Sequence, residues 1–205
     1  GGWGGSTWGT ARSAGSSDIS LENSSWDLDL WGEDLIATVR NGAIYYWDTS
    51  GGIGNRASLV SEESGATSVP AIARTATISF PDRHFIVGGG TEYGGSGNFD
   101  PMLVRWSNQE DFTVFAPTAL NTAGDQRLQI GTEIVTMVSS REETIISSDE
   151  AIYGMTFVGA PFIFSFRLLG TDCGAAGLNT MLNVDGTMYW MGKRNFFMYN
   201  GVVKE

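Results

Sequence analysis

Cysteine and histidine are almost absent from this sequence. Its 205 residues include one cysteine, Cys173, and one histidine, His84. A single cysteine excludes an intramolecular disulfide, so stability must come from packing and hydrogen bonding, which suits assembly in a reducing cytoplasm. The sequence also lacks the pairs of Cys and His ligands that zinc sites use.

Positive charge is scarce as well. The chain has 12 Lys and Arg against 23 Asp and Glu, a net charge of -11, and its only lysines are Lys193 and Lys204. Nucleic-acid binding and attachment to anionic lipid both need a basic patch, so the composition argues against both classes. An acidic surface fits the opposite relation to DNA, because it lets a polyanion slide past without sticking.

Long apolar runs are missing too. No stretch reaches the roughly 18–20 residues that a membrane helix needs, so we expect no membrane insertion. The chain begins without Met and stops at Glu205 just after a strand-like run. We therefore expect it to be part of a longer protein.

The beginning of the chain differs from the rest in composition. Residues 1–17 are rich in Gly, Ser and Thr, and residues 18–34 contain six acids but no Lys or Arg. We predict that 1–34 is a Gly/Trp-rich, acidic N-terminal segment whose acidic part is exposed. Residues 35–205 are predicted to form one β-propeller-like region. The acidic run 27–34 lacks the spacing of a calcium-binding loop.

The remaining sequence has the pattern of β-strands, and no segment keeps a helical period over 11 residues. Asn41-Gly42 and Asp185-Gly186 are typical hairpin dipeptides. Residues 48–70, 88–100 and 107–131 are predicted to be long loops, and 175–181 a short helical turn. The predicted strands are Leu35–Val39, Ala43–Trp47, Thr75–Phe80, His84–Val87, Met102–Trp106, Glu133–Val138, Thr144–Ser148, Ala151–Phe157, Phe162–Leu169, Met181–Val184, Thr187–Met191, Phe196–Tyr199 and Val202–Val203.

Aromatic strand ends repeat along the chain. Trp47, Trp106, Tyr153 and Tyr199 are separated by 59, 47 and 46 residues. A strand-rich repeat of about 40–50 residues is typical of β-propellers, which have four strands in each blade. The sequence therefore predicts an all-β, β-propeller-like fold with long inserted loops, and a β-sandwich is the alternative.

Catalytic chemistry finds little support in the sequence. Any serine or cysteine mechanism would have to use His84, which lies at a predicted turn-to-strand boundary and is expected to be structural or exposed. The glycine-rich runs lack a following helix and a P-loop lysine, so we expect them to be turns and loops. We predict no catalytic, cofactor-binding or metal-binding residues, and no enzymatic activity, although paired carboxylates for glycoside hydrolysis are not excluded.

Several segments resemble one family in their linear order. The motifs that carry the likeness are Arg105-Trp106-Ser107-Asn108-Gln109-Glu110, Pro117-Thr118-Ala119, Asn121-Thr122-Ala123-Gly124, Phe157-Val158-Gly159-Ala160-Pro161-Phe162 and Tyr189-Trp190-Met191-Gly192, together with residues 31–52. In these motifs the chain is similar to the tail nozzle proteins of short-tailed bacteriophages, also called tail tubular protein B. It is also similar to the related propeller-type tail hub and DNA-stabilisation proteins.

The resemblance implies a structural virion protein without catalytic residues, assembled in the host cytoplasm. Such a protein forms a ring, typically of six copies, that continues the DNA channel. Its implied partners are its own copies, the adaptor on the portal side, tail-fibre proteins and DNA that passes without specific binding. Two other functions stay open: a carbohydrate-binding or carbohydrate-cleaving propeller in receptor recognition, and a general propeller interaction module.

Overall fold

The computed structural model describes residues 25–80, 82–94 and 97–205. These residues form an all-β structure of four antiparallel sheets, each of four strands that follow one another in chain order. The predicted all-β, propeller-like class of four-stranded units is confirmed. Residues 1–24 of the predicted N-terminal segment lie outside the described residues.

The four sheets have the following bounds. The first contains β1 (Trp26–Trp31), β2 (Asp34–Val39), β3 (Ile44–Trp47) and β4 (Ser58–Leu59). The second contains β5 (Ala73–Ile78), β6 (Phe85–Thr91), β7 (Phe99–Trp106) and β8 (Gly124–Arg127). The third contains β9 (Ile134–Ser139), β10 (Thr144–Ser148), β11 (Ala151–Gly159) and β12 (Ile163–Thr171). The fourth contains β13 (Met181–Val184), β14 (Thr187–Met191), β15 (Phe196–Tyr199) and β16 (Val203–Lys204).

Successive sheets pack face to face around their first strands. Strand β5 contacts β1 and β9, and β13 contacts β9. Because side chains alternate between the two faces of a strand, each middle sheet can contribute to two cores. Ile36 and Phe85 belong to the core between the first two sheets, Ile86 and Ile146 to the next, and Trp190 to the third. The sheets are thus arranged like consecutive blades of a propeller.

All thirteen predicted strands overlap observed ones, and four match to the residue: Thr144–Ser148, Met181–Val184, Thr187–Met191 and Phe196–Tyr199. Three strands were missed. Strand β1 has acids at alternate positions and was assigned to the acidic N-terminal segment. Strand β4 has two residues, and β8 is a largely exposed stretch without an apolar pattern.

Two loop predictions need correction. Residues 88–100 are not one loop, because β6 runs to Thr91 and β7 begins at Phe99. Gly88 lies inside β6, and a Cβ there would stand 2.9 Å from the Met137 sulfur and 3.0 Å from Ile134, so close sheet packing explains the glycine. Residues 175–181 form no helical turn, and Met181 begins β13.

The aromatic repeat marks the third strand of every sheet. Trp47, Trp106, Tyr153 and Tyr199 lie on β3, β7, β11 and β15. Their faces differ, however. Trp106 packs in the core between the second and third sheets. Trp47 pairs with Leu35, one position out of phase with the Ile36–Tyr46 pair that faces the second sheet. The repeat predicts that Trp47 and Trp106 occupy equivalent positions in successive blades; they share the strand position, but the prediction is wrong for the face.

Candidate functional site: the central cavity

A cavity of about 630 Å³ lies where the first strands of the four sheets meet. Strands β1, β5, β9 and β13 each contribute to its wall, so the cavity occupies the place of a propeller's axial channel. Its polar and aromatic lining comprises Trp26, Asp27, Asp29, Thr77, Phe80, Thr136, Ser139, Ser140, Arg141, Asn179 and Asn183.

Two carboxylates of β1 bridge the first sheet to the second. Asp27 and Asp29 are two residues apart, so both side chains lie on the same face of the strand. The Asp27 carboxylate accepts a hydrogen bond from the backbone N–H of Ala76 at 3.0 Å. The Asp29 carboxylate accepts one from the N–H of Ile78 at 2.8 Å and one from the Thr77 hydroxyl at 3.2 Å. These aspartates therefore hold β1 against β5 while they line the cavity.

The acidic segment was expected to be exposed to a lumen or solvent, but of its described acids only Glu33 is exposed, and Asp27 and Asp29 are half-buried and hydrogen-bonded to β5. Asp27 and Asp29 are partly exposed at the cavity, and Glu33 is exposed in the turn after β1. The sequence analysis missed the residues on the opposite wall, among them Arg141 and Asn183. Their position depends on which strands are innermost, and no local pattern in the sequence indicates that.

The single histidine belongs to a buried network. His84 is fully buried, its Nδ1 is hydrogen-bonded to the Asp82 carboxylate, and its Nε2 lies 3.0 Å from the Thr122 hydroxyl. The Ser79 hydroxyl donates to Asp82 at 2.9 Å. Phe164 covers the imidazole edge-on, at 5.0 Å between ring centres. With its ring sealed from solvent, His84 is structural and not exposed.

The motif residues that resemble the nozzle proteins are also used internally. Arg105 is 1% exposed. Its guanidinium donates to the carbonyls of Thr91 at 2.9 Å, Ser68 at 2.8 Å and Phe115 at 3.1 Å. Burial lowers the pKa of Arg105, an effect that Asp125 partly opposes. Arg105 thus fastens the connections on either side of the second sheet.

The neighbouring motif residues hold the excursion between β7 and β8. The Trp106 indole N–H donates to the Thr122 carbonyl at 2.8 Å. The Asn108 side-chain oxygen accepts from the Thr122 backbone N–H at 3.0 Å. The Asn121 side-chain amide donates to the Ala116 carbonyl at 2.8 Å. The motif therefore fixes the loop between β7 and β8.

A second cleft, of about 540 Å³, lies between the third and fourth sheets. There the Tyr199 hydroxyl donates to Glu143 at 2.8 Å, and Arg167 donates to the Tyr199 oxygen at 2.9 Å. Burial raises the pKa of Tyr199, and its hydrogen bond to Glu143 adds to the effect. The three side chains connect the two sheets through one polar network.

Metal-binding clusters and membrane-spanning helices are both absent from the described residues. Within 25–80, 82–94 and 97–205, no group of three or more His, Cys, Asp or Glu residues is placed to hold a metal ion. Across the same ranges, no helix is both long and apolar enough to cross a membrane. Cys173 is a free, buried cysteine in the core between the third and fourth sheets, where burial raises the pKa of its thiol.

Comparison with known proteins supports the fold alone. No family model matches the sequence, and no curated protein matches it. Among solved structures, the chain is similar to the computationally designed Ika4 protein, with a TM-score of 0.50 and 13% identity. The match covers 88% of this chain and 93% of the designed one. At that identity, the likeness carries no information about function.

Proposed function

We propose that the chain is a structural virion protein that forms part of a bacteriophage tail nozzle or hub. In this role it continues the DNA channel and docks neighbouring tail proteins. The observation that carries the proposal is the ordered set of motifs from Arg105 to Gly192 that resembles nozzle proteins. The architecture agrees with it, because those residues serve packing and loop fixation.

Charge supports a passage for DNA in preference to a binding site for it. The chain has a net charge of -11, and two aspartates stand at the central cavity with one arginine, Arg141. Specific or non-specific DNA binding draws its affinity from cations that replace the counterions of the phosphates. A surface with few cations repels the polyanion and leaves it free to move.

The test is electron microscopy of the purified chain together with its mass by light scattering. We expect a closed ring with a central opening, of six copies if the resemblance extends to stoichiometry. The same preparation should leave a fluorescent DNA duplex unbound at 50 mM salt, a condition that favours electrostatic association. Labelled antibody against the chain should mark the tail of the native particle, below the portal.

Two results would overturn the proposal. A monomer of 22.0 kDa that enters no particle would remove the ring and the virion together. Binding of the duplex that weakens steeply with salt would show that the chain holds DNA by phosphate contacts. Matched duplexes of different sequence serve as the control for base-specific effects.

A carbohydrate-binding propeller is the second candidate, and the cavity lining is the observation that favours it. Trp26 is 48% exposed and lines the cavity from the side of β1 opposite to Asp27 and Asp29, and an exposed aromatic ring in a polar cavity suits a sugar ring. A glycan array with the wild type and a Trp26→Ala variant tests it. Glycan binding that the variant loses would favour this function, and an array without signal would eliminate it.

A further inference from the structure

Among residues 25–80, 82–94 and 97–205, the first sheet has one face that other sheets cover and one apolar face that no described sheet covers. Ile36 of β2 and Tyr46 of β3 face the second sheet. Because side chains alternate along a strand, the neighbours of these residues point to the other side of the first sheet. There, Leu28 and Leu30 are 62% and 63% exposed. The cross-strand pairs of β1, β2 and β3 define this surface, the first outer face, as Trp26, Leu28, Leu30, Leu35, Ala37, Val39, Tyr45 and Trp47.

The fourth sheet repeats this arrangement at the other end of the row. Met188 and Trp190 pack toward the third sheet. On the opposite side, Leu182 is 54% exposed and Phe196 is 74% exposed. The pairs of β13 to β16 define the fourth outer face as Leu182, Val184, Thr187, Tyr189, Met191, Phe196, Met198 and Lys204.

The first and fourth sheets stand at the two ends of a row of packed sheets, and each outer face is the side on which the next sheet of such a row would pack. Within the described residues, apolar cores join the first sheet to the second, the second to the third and the third to the fourth. Each joint has one sheet's apolar face against the next. The fourth outer face and the first outer face are the two halves of a fourth joint of the same kind.

Charge makes the two ends complementary. Residues 25–59, which carry the first sheet, contain five acids and two arginines. Residues 181–205, which carry the fourth, contain both lysines of the chain and Arg194 against two acids. Asp27 and Asp29 face the second sheet, so the end with the basic excess matches the end with the acidic excess at the rims of the two outer faces and not on the faces themselves.

The exposed area is sufficient for a stable contact. A fully buried aromatic side chain removes about 150–250 Å² from water, so half-exposed faces of this size offer on the order of 500 Å² each. In a two-copy ring both faces of one copy meet the same partner, which gives roughly 1,000 Å² per partner against about 800 Å² in a standard interface.

We infer that the fourth outer face of one copy docks on the first outer face of a second copy of this chain. The contact is head-to-tail, and two copies are the smallest number that closes a ring. This inference deepens the proposed function by naming the joint between ring subunits, and it rests on that function only for the expected number of copies.

The experiment compares the wild type with two face variants, Leu30→Glu and Leu182→Glu, by light scattering of the full chain. We expect the wild type to form closed rings and each variant alone to fall to the 22.0 kDa monomer. Leu120→Glu is the matched control, because Leu120 is 99% exposed and lies on the inserted loop, far in sequence from both faces. It should leave the ring mass unchanged.

Mixing the two variants is the sharpest measurement. Leu30→Glu keeps an intact fourth outer face, and Leu182→Glu keeps an intact first outer face. An equimolar mixture should therefore form pairs of about twice 22.0 kDa, held by one intact joint and blocked at the other faces. Formation of these pairs also shows that both variants are folded.

The remaining outcomes separate this inference from the proposed function. A monomeric wild type overturns the inference. A six-copy ring that both variants still form overturns it too, but leaves the tail ring in place. A two-copy ring that both variants abolish supports the docking and counts against a six-fold tail ring. A mixture that stays monomeric shows that the faces do not meet head-to-tail.

Discussion

The middle sheets and the end sheets differ in how many of their faces are covered by neighbouring sheets. The second and third sheets are covered on both sides, and β6 and β10 are buried at every position. The first and fourth are covered on one side, and β1 and β14 alternate between covered and exposed positions. Such a strand is therefore buried along its whole length where its sheet is packed on both sides, and at alternate positions where its sheet is packed on one side.

The exposed half of that alternation is apolar in the end sheets, and this is the informative part of the comparison. A sheet with one face in water ordinarily has polar residues on that face. Leu28, Leu30 and Phe196 break the rule, and exposed apolar patches of this kind commonly mark interaction surfaces. Substitutions in the two pairs of sheets should therefore have different consequences.

The largest loss of stability is expected at Arg105, in the second sheet. Arg105→Met keeps most of the volume but removes the donors to three buried or partly buried carbonyls. Leaving such acceptors unpaired costs about 1–3 kcal/mol each, so we expect a loss of at least about 3 kcal/mol in denaturant unfolding. Arg127→Met is the control, because Arg127 is largely exposed in its pair with Asp100 and should cost less than about 1 kcal/mol.

A matched pair of truncations tests the comparison directly. Ile146 is fully buried in the third sheet, whereas Leu182 is 54% exposed in the fourth. Ile146→Ala should lower the unfolding free energy by about 3 kcal/mol through lost burial and a cavity. Leu182→Ala, measured in the monomeric Leu30→Glu background, should cost less than about 0.5 kcal/mol. Equal losses would contradict the exposed status of the fourth outer face.

The link between the third and fourth sheets should be sensitive to a single methyl group. A Cβ at Gly174 would stand 2.5 Å from the backbone carbonyl carbon of Asp149, so the backbone would have to move. Gly174→Ala should cost about 2 kcal/mol. At Gly177 the nearest atom would be 3.9 Å away, so Gly177→Ala is the control and should be nearly neutral. Thermal unfolding of both variants measures the difference.

The smallest expected effect is a pH dependence in the third sheet. Burial alone would raise the pKa of Asp149, but hydrogen bonds from the Thr132 N–H and hydroxyl and from the Glu133 N–H outweigh it, so this pKa lies below its ordinary value of 3.8. A carboxyl with a lowered pKa stabilises the fold above that ordinary value and loses the effect as the pH falls through the folded value.

Asp149→Asn should therefore cost about 1 kcal/mol at neutral pH and reduce the loss of stability on acidification below about pH 4. Urea midpoints from pH 6 to pH 3 measure it. A wild type and variant with parallel pH profiles would show that Asp149 has the same pKa in the folded and unfolded states.

The sequence predicted the strands better than their surroundings. Short apolar runs bounded by turn residues identified Thr144–Ser148 and Thr187–Met191 to the residue, because local pattern and final structure agree there. It missed β1, whose two aspartates are explained only by a strand 49 residues away. The cavity could not be predicted from the sequence for the same reason. Its wall comes from four sheets, and no short segment of the sequence indicates which strand of a sheet is innermost.

The aspartates of β1 have one more consequence, for solubility. Strand β5 is an outermost strand in its sheet's hydrogen-bonding order, so the N–H groups of Ala76 and Ile78 point away from the sheet. Unpaired N–H groups at a sheet edge invite another chain to add a strand, which is how many β proteins aggregate. Asp27 and Asp29 occupy these donors with carboxylates. The two acids therefore occupy donors at the edge of β5 that an added strand would need, and this disfavours association of another chain at that edge.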